Sequence, residues 1–191
     1  MESKDQEQIT TESFEGFARE FKKRLDILNN NSGVIHCLYK KAYFKEKRYP
    51  EAFLYFFYSL ELALKHFIMT EMMVKNTEKF FEDKKTLSLV YPLAEINGII
   101  KISKISKLIE MFCLLCGNEI EDDLKLINRE RNFIIHNMMK EKLDEKRVEK
   151  SFENFFEKTE SARVNYYRFC DNFLASRPQR ILNNLKGIQS P

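Results

Sequence analysis

The chain has 191 residues, which is enough for one domain with a real hydrophobic core and short for two. Only five Gly and four Pro occur, whereas Phe and charged residues are common, a composition that favours long helices over short strands. The formal net charge of +3 is too small to indicate nucleic-acid binding by itself. We therefore predict a single all-α domain over residues 1–191.

The N-terminal sequence MESKDQEQITTES is polar and acidic, whereas a secretory signal begins basic and then becomes apolar. The longest apolar run, Ala52 to Leu64, contains Glu61 and is shorter than the ~20 residues that a membrane span requires. We read this run as a buried helix. The sequence thus predicts a cytoplasmic protein without a membrane contact.

Apolar residues at spacings of three and four predict two helices before residue 48. The first runs from Phe14 to Leu28 and is ended by NNNSG at 29–33. The second begins at Val34 and continues into the charged stretch KEKR. We assign residues 1–33 to an N-terminal helical extension of the core.

A third helix is predicted to begin near Pro50, which suits a first helical turn, and to reach about Val74. Residues 76–98 show no sustained period and include Pro92 and Gly98, so we predict a long loop with room for a short helix at its start.

The C-terminal half predicts three further helices. A fourth covers 103–116 and is stopped by Gly117, a fifth covers 119–139, and the last follows a continuous apolar seam that starts at Val148 and is closed by Pro178. The result is an up-and-down bundle of about five to six helices, with its core at 34–175 and a C-terminal tail at 176–191.

Cys113 and Cys116 form a C-x-x-C pair on the fourth helix, but no second pair or histidine cluster completes a zinc site. Reduced cysteines that pack as small hydrophobic residues are the simpler interpretation. We predict neither a metal nor a cofactor.

The fifth helix carries an unusual polar group, RERNFIIH at 129–136. At ~100° per residue, Asn132 lies beside His136, whereas Leu124, Ile127, Ile134 and Met138 form the opposite, core-facing side. Arg131 lies ~140° from His136 and falls among these apolar residues, where an unpaired guanidinium is costly. Three explanations stay open: an interruption of the helix, an acidic partner for Arg131, or a second subunit against this side.

Arg131, Asn132 and His136 resemble the R-x(4-6)-H signature of the HEPN family, which favours a polar residue directly after the Arg. Glu61 and Lys65, in SLELALKHFI, are similar to the E-x-x-x-K/R pair on an earlier helix of that family. Spacing four on one helix face also suits a purely stabilising pair. The likeness covers roughly residues 34–173 and implies a HEPN-like bundle that acts as a homodimer.

The resemblance implies a metal-independent endoribonuclease of a toxin or defence system, with RNA as substrate and an antitoxin or a nucleotidyltransferase-type protein as a further partner. Histidine titrates near neutral pH and can remove a proton from an RNA 2′-hydroxyl, and Arg can hold the phosphate. Asn132 would orient the His136 ring or hold the phosphate. Arg129 and Lys140, on the polar side of the fifth helix, are predicted to bind RNA.

Two alternatives stay open beside catalysis. The chain can be a catalytically silent HEPN-like module that binds a nucleotide or a protein, or a plain helical scaffold in which Arg131, Asn132 and His136 form a structural polar cluster. His36 and His66 have no motif around them, so we predict packing or surface roles for both.

Overall fold

A computed structural model describes residues 11–82, 91–102, 104–138 and 144–186 of the chain. These ranges contain no strand, so the predicted all-α class is confirmed. They hold seven α-helices, more than the five to six that we predicted. In chain order the elements are α1 (Thr11–Lys40), a π-helical turn (Lys41–Lys45), α2 (Tyr49–Glu82), α3 (Leu93–Ile100), α4 (Ile105–Cys116), α5 (Glu121–Met138), α6 (Glu145–Lys158) and α7 (Glu160–Lys186).

Helix α2 is the central helix of the bundle. It packs along α1 and also contacts α3, α4 and α6. Its Ala52, Leu64 and Ile68 side chains are completely buried, as expected for a helix that is covered on several sides. Pro50 lies in its first turn, where a missing backbone N–H costs little. Most neighbouring helices are therefore positioned by contacts with α2.

A cluster of phenylalanine rings joins α2 to α6. The ring centroid of Phe53 lies 4.8 Å from that of Phe152 and 5.0 Å from that of Phe155. Phe57 lies 5.6 Å from Phe155. Tilted and edge-to-face contacts of this kind are favourable between aromatic rings. The cluster holds the ring of Phe57 in place between the two helices.

The helix end that we predicted at 29–33 is wrong, because α1 continues through NNNSG to Lys40. Phe21 and Leu28 before this segment are buried, and so is Tyr39 after it. Burial of these large side chains outweighs the low helix propensity of Asn and Gly, which amounts to only ~1 kcal/mol for a Gly. Position 33, the predicted end of the N-terminal extension, lies inside one continuous helix.

The long loop predicted at 76–98 allowed for a short helix at its start, where α2 ends, but it is wrong in its second part. Helix α2 extends to Glu82, and α3 occupies the second part of the segment. The completely buried Asn76 joins the two parts. Its Nδ2 donates to the Tyr91 carbonyl at 2.8 Å, and its Oδ1 accepts from the Tyr91 N–H at 2.7 Å. One side chain thus satisfies both backbone groups of Tyr91 just before α3 begins.

We expect Asn76→Ala to lower the free energy of unfolding by about 1–3 kcal/mol, because it leaves the Tyr91 N–H and carbonyl without their partner. Urea unfolding followed by circular dichroism measures the change. Asn172→Ala, which alters an exposed Asn on α7, is the control and should leave the unfolding midpoint nearly unchanged. Equal midpoints for the two variants would contradict the role of Asn76.

The single C-terminal helix that we predicted is two helices. Helices α6 and α7 are separated at Thr159, whose φ and ψ are −103° and 8°. The Thr159 hydroxyl donates to the Phe155 carbonyl at 2.8 Å, a local bond that competes with the regular helical pattern. Helix α7 then continues past Pro178 to Lys186, so the predicted end at Pro178 is wrong as well. Proline removes one backbone hydrogen bond and can bend a helix without ending it.

Helices α4 and α5 agree best with the sequence predictions. Helix α4 ends at Cys116, and Gly117 follows with φ of 108°, a conformation that glycine adopts without strain. Helix α5 covers most of the predicted range 119–139. Cys113 and Cys116 are free, partly buried thiols on α4, which agrees with the packing interpretation.

Among the described helices, one is long and apolar enough to cross a membrane by length and composition, although the run at 52–64 alone was predicted to be too short. This helix segment is Tyr49–Lys79 of α2, and 61% of its most apolar window is buried inside the bundle. Core helices of soluble proteins show the same combination of length and apolar composition.

Candidate functional site

Helix α5 presents the RERNFIIH segment on a well-anchored element. Its first turn carries Glu121, Asp122 and Asp123, and negative side chains near a helix N-terminus are favourable. The apolar side packs against α4, α6 and α7 through the buried residues Leu124, Ile127 and Ile134. This packing agrees with the predicted core-facing side of α5.

Arg131 extends from α5 to α2, where its guanidinium carbon lies 5.4 Å from the ring centroid of Phe57. Its Nη1 donates to Asn132 Oδ1 at 3.1 Å. Helix α5 is uninterrupted here, and Arg131 makes no ion pair with a carboxylate in the part of the chain that the structure describes. A cation–π contact on a fixed aromatic ring therefore accommodates the guanidinium on the apolar side of α5.

His136 lies on the opposite, exposed side of α5. Asn132 lies between the two in angle, ~100° from Arg131 and ~40° from His136 around the helix axis. Its Oδ1 is used by Arg131, and no described residue hydrogen-bonds the His136 imidazole. Within one chain the motif therefore wraps around α5 and does not converge on one point.

Glu61 and Lys65 form the ion pair that their spacing indicated, with 2.5 Å between Glu61 Oε1 and Lys65 Nζ. Lys65 Nζ also donates to the carbonyl of Ile100, the last residue of α3, at 3.0 Å. Only 8% of the Lys65 side chain is exposed, so this ammonium is committed to holding α3 against α2. Glu61 is more accessible than Lys65, and it lies one helical turn after Phe57.

An exposed apolar strip lies next to these residues. On α2, Leu54 and Tyr58 are 66% and 60% exposed, and they share one helix face with Glu61. Because Arg131 covers the adjacent Phe57, these residues lie near one another on the surface. We call this region the α2–α5 surface and define it by Leu54, Phe57, Tyr58, Glu61, Arg131 and Asn132.

The structure says less about Arg129 and Lys140, the two residues that were predicted to bind RNA. Arg129 is exposed, and its Nε lies 3.5 Å from Glu130 Oε1. Glu130 also approaches Lys158 of α6, with 3.6 Å between Oε2 and Nζ. Lys140 lies outside the described residues. Arg129 is thus accessible to a phosphate, but a neighbouring carboxylate partly offsets its charge.

Arg163 on α7 is a buried cation that the sequence reading did not single out. It is 5% exposed, and its donors reach Tyr39 Oη at 2.6 Å, the Phe156 carbonyl at 2.9 Å and Thr159 Oγ1 at 3.3 Å. Its guanidinium carbon lies 5.2 Å from the Tyr43 ring centroid and 4.9 Å from that of Phe156. The sequence did contain a signal for this position: Arg163 lies four residues after Thr159 and three before Tyr166, on the same side of a helix. These partners are neutral, and in the described ranges Arg163 joins α1, α6 and α7 without an ion pair to a carboxylate.

His36 and His66 are half-buried on α1 and α2. Burial is the main cause that lowers the pKa of His36, with Lys40 adding to the effect and Asp171 opposing it. Burial likewise lowers the pKa of His66, and Asp26 opposes that change. Both shifts favour the neutral imidazole.

We expect the free energy of unfolding to fall as the pH drops below ~6.5, the ordinary pKa of histidine. In that range the unfolded chain binds protons that the folded chain resists at His36 and His66, so stability rises with pH and is lost on acidification. Urea unfolding at a series of pH values measures the slope. The double variant His36→Asn/His66→Asn should show a smaller slope, and an unchanged slope would contradict this origin.

The structure brings Arg131 together with Asn132, and Glu61 together with Lys65. His136 and Arg129 remain exposed on α5 and are not hydrogen-bonded to Arg131 or Asn132 among the described residues. The likeness to the HEPN family therefore depends on the motif residues alone, since no protein-family model, curated protein or solved structure matches the chain.

Proposed function

We propose that this chain is a metal-independent endoribonuclease of a toxin or defence system, with a HEPN-like arrangement of Arg131, Asn132 and His136. The observation that carries this proposal is that Arg131 is positioned by an aromatic ring and keeps its charge. Its guanidinium is held on the Phe57 ring at a partly exposed position, and among the described residues no carboxylate neutralises it. Among the described residues, only Asn132 uses one of its five N–H donors, so the others can meet an RNA phosphate.

The proposed reaction is internal attack of the RNA 2′-oxygen on the adjacent phosphorus. The imidazole of His136 takes the 2′-hydroxyl proton as the new P–O bond forms, and the bond from phosphorus to the 5′-oxygen breaks. The imidazolium that forms then gives its proton to the leaving 5′-oxygen. Arg131 stabilises the charge that develops on the phosphoryl oxygens. The products are a 2′,3′-cyclic phosphate and a 5′-hydroxyl, and neither contains an oxygen atom taken from water.

A homodimer is part of the proposal because Arg131 and His136 diverge by ~140° on one helix. A second copy that covers the α2–α5 surface can bring its own motif to the first, so that each chain completes the other's site. Exposed Leu54 and Tyr58 supply the apolar area that such a contact needs. We place the dimer in the cytoplasm, with RNA as its substrate and an antitoxin or nucleotidyltransferase-type protein as a regulatory partner.

Product chemistry tests the proposed reaction. The full chain is incubated with a fluorescently labelled RNA in the presence of EDTA, and the fragments are analysed by mass spectrometry. We expect cleavage with 2′,3′-cyclic phosphate ends, because no metal takes part. Loss of cleavage in EDTA, or fragments with 5′-phosphate ends, would exclude this mechanism.

We expect Leu54→Glu to convert the dimer to a monomer, because it places a charge in an apolar contact. Light scattering after size-exclusion chromatography measures the mass. Leu114→Glu is the matched control, since Leu114 on α4 is 82% exposed and lies outside the α2–α5 surface. Monomers for both variants, or for neither, would place the dimer contact elsewhere.

The second candidate function is a catalytically silent HEPN-like module that binds a nucleotide or a protein. It is favoured by one observation: Lys65 is buried and bonded to the Ile100 carbonyl, which is a structural role. Such a module would be harmless when it is expressed in cells. Toxicity of the parent chain that disappears in His136→Ala separates the ribonuclease from this module.

A further inference from the structure

A dense group of positive charges lies where α1 ends and the π-helical turn follows. Residues 40–48, KKAYFKEKR, contain five cations and one carboxylate and thus have a net charge of +4, whereas the whole chain has only +3. All of these charged side chains are exposed. The positive charge of the chain is therefore concentrated on one short segment. We call it the 40–48 surface and define it by Lys40, Lys41, Phe44, Lys45, Lys47 and Arg48.

Most of these cations are not neutralised within the chain. The Arg48 guanidinium is bonded to Glu46, and its Nη1 also donates to Glu51 Oε1 at 3.1 Å. The Nζ of Lys41 lies 3.5 Å from Glu46 Oε1, so this one carboxylate serves two cations. Three cations have no ion pair with a carboxylate in the described part of the chain: Lys40, Lys45 and Lys47. Exposed ammonium groups of this kind are available to bind phosphates.

An exposed aromatic ring lies among these charges. Phe44 is 59% exposed, and its ring centroid lies 4.8 Å from that of Tyr43 in an edge-to-face contact. The Tyr43 ring is held in turn by Tyr39 and by Phe156, with centroid distances of 5.7 and 4.6 Å. The Phe44 ring is thus supported by the bundle while much of its surface stays open. Exposed aromatic rings next to cations are suited to stacking with the bases of single-stranded nucleic acids.

The backbone of this surface is strained at Lys47. Its φ is 54°, and no other non-glycine residue of the described ranges has a positive φ. The N–H of Arg48 donates to the Ala42 carbonyl at 2.9 Å, a bond typical of a helix end at which glycine usually takes the left-handed position. Lysine at that position carries a strain that glycine would avoid. Strained residues and π-helical turns are both frequent at functional sites.

The 40–48 surface lies near the start of α2, because the ring centroids of Tyr43 and Tyr49 are 6.0 Å apart. Phe57, which holds Arg131, follows eight residues after Tyr49, which is about 12 Å along the helix axis. A stacked single strand rises ~3.4 Å per nucleotide, so about four nucleotides cover that axial distance. The surface is therefore outside the α5 motif but within reach of the same RNA molecule.

We propose that the 40–48 surface binds single-stranded RNA, with one base stacked on Phe44 and the neighbouring phosphates held by lysines 40, 45 and 47. This inference rests on the proposed function, which makes RNA the substrate of the chain. A duplex keeps its bases stacked on one another and cannot use Phe44 in this way. A membrane-binding surface would present several large apolar side chains, whereas Phe44 is the one such exposed side chain in residues 40–48.

Binding is tested with a labelled 2′-O-methyl oligouridine, which lacks the attacking 2′-hydroxyl and so cannot be cleaved by the proposed reaction. Fluorescence anisotropy with the full chain measures its affinity, and a duplex of the same strand and vesicles that contain phosphatidylserine are compared with it. The vesicles are included because Val34 and Leu38 are exposed on the preceding turns of α1. We expect the single strand to bind most tightly. Tighter binding of the duplex, or binding of vesicles alone, would overturn the proposal.

Variants of the aromatic ring locate the bound base. Phe44→Ala should weaken binding of the oligouridine by about five- to a hundredfold, because stacking on the ring is lost. Phe44→Tyr keeps a ring and should bind like the parent. Leu114→Ala, which shortens an exposed apolar side chain on α4, is the matched control. Parental affinity in Phe44→Ala would overturn the assignment.

Variants of the lysines test the phosphate contacts. Lys45→Ala should weaken binding and reduce the slope of log affinity against log salt concentration by about 0.7, the change expected for one phosphate contact on a single strand. Lys107→Ala, at an exposed Lys on α4, should change neither. Lys47→Gly removes a cation and relieves the strained backbone, so it should weaken binding without lowering the midpoint of urea unfolding. Parental binding by both Lys45→Ala and Lys47→Gly would overturn the proposal.

The cleavage reaction is tested separately with an unmodified RNA. Phe44→Ala should raise KM and leave kcat nearly unchanged, whereas His136→Ala should lower kcat and bind the 2′-O-methyl oligouridine like the parent. Binding through Phe44 without cleavage of any RNA would exclude the ribonuclease and leave the binding surface. Cleavage with a parental KM in Phe44→Ala would overturn the binding surface and leave the ribonuclease proposal standing.

Discussion

Replacing His136 by alanine is expected to lower the rate of RNA cleavage by about 10²–10⁴-fold, the usual contribution of a general acid or base. The reason is that no other described group on α5 can accept the 2′-hydroxyl proton at this position. His136 is exposed, so its loss should not affect the fold. Single-turnover cleavage of a labelled RNA measures the rate. Asn137→Ala, which changes the next residue on α5, is the matched control.

Arg131→Ala is expected to lower cleavage to a similar degree, because it removes the cation that would stabilise the phosphoryl oxygens. Arg131→Lys keeps the charge and loses the planar fork, so it should recover only part of the rate. Thermal unfolding accompanies both variants, since Arg131 also packs on Phe57. Arg168→Ala, at an exposed Arg on α7, controls for the loss of one positive charge. Normal cleavage by Arg131→Ala or by His136→Ala would exclude the motif as the catalytic site.

Mixing the two inactive chains tests whether each site is built from two copies. If Arg131 of one chain serves with His136 of the other, a heterodimer of Arg131→Ala and His136→Ala has one complete site. Random pairing makes about half of the dimers heterodimers, each with one of two sites intact, so about a quarter of the parental rate should return. A site contained in one chain would give no recovery on mixing.

The position of Arg131 shows which part of the candidate site can be predicted from the sequence. Helical spacing alone placed Arg131 on the apolar side of α5 and away from His136, and the structure has it on that side. The spacing could not identify Phe57 as the group that receives the guanidinium, because this contact joins residues far apart in the chain. It also could not test a second subunit, since that contact depends on another copy.

For Glu61 and Lys65 as well, the sequence predicted the local contact and missed the contact with a distant part of the chain. Their spacing of four predicted a pair on one helix face, and the ion pair is present. The bond from Lys65 to the Ile100 carbonyl was not predictable, because α3 itself was read as a loop. In α1, local Asn and Gly preferences predicted an end that burial of Phe21 and Tyr39 prevents. Tertiary packing, which a local pattern does not contain, decided both cases.

Arg163→Ala is expected to lower the free energy of unfolding by about 3–4 kcal/mol, among the largest effects of a single substitution. The change removes three hydrogen bonds and leaves a cavity between the rings of Tyr43 and Phe156. The Phe156 carbonyl lies in the last turn of α6, where no further helical N–H follows, so it depends on Arg163. Urea unfolding measures the loss.

Conservative variants distinguish the contribution of the Arg163 charge and hydrogen bonds from the contribution of its side-chain volume. Arg163→Met keeps most of the packing and removes both the charge and the hydrogen bonds, so it should cost less than Arg163→Ala. Tyr39→Phe removes only the acceptor at 2.6 Å and should cost about 1–2 kcal/mol. Arg168→Ala, on an exposed side of the same helix, should leave unfolding nearly unchanged. If Arg163→Met were as stable as the parent, the guanidinium would not be needed to join α1 to the junction of α6 and α7. The buried charge would then need a reason outside stability.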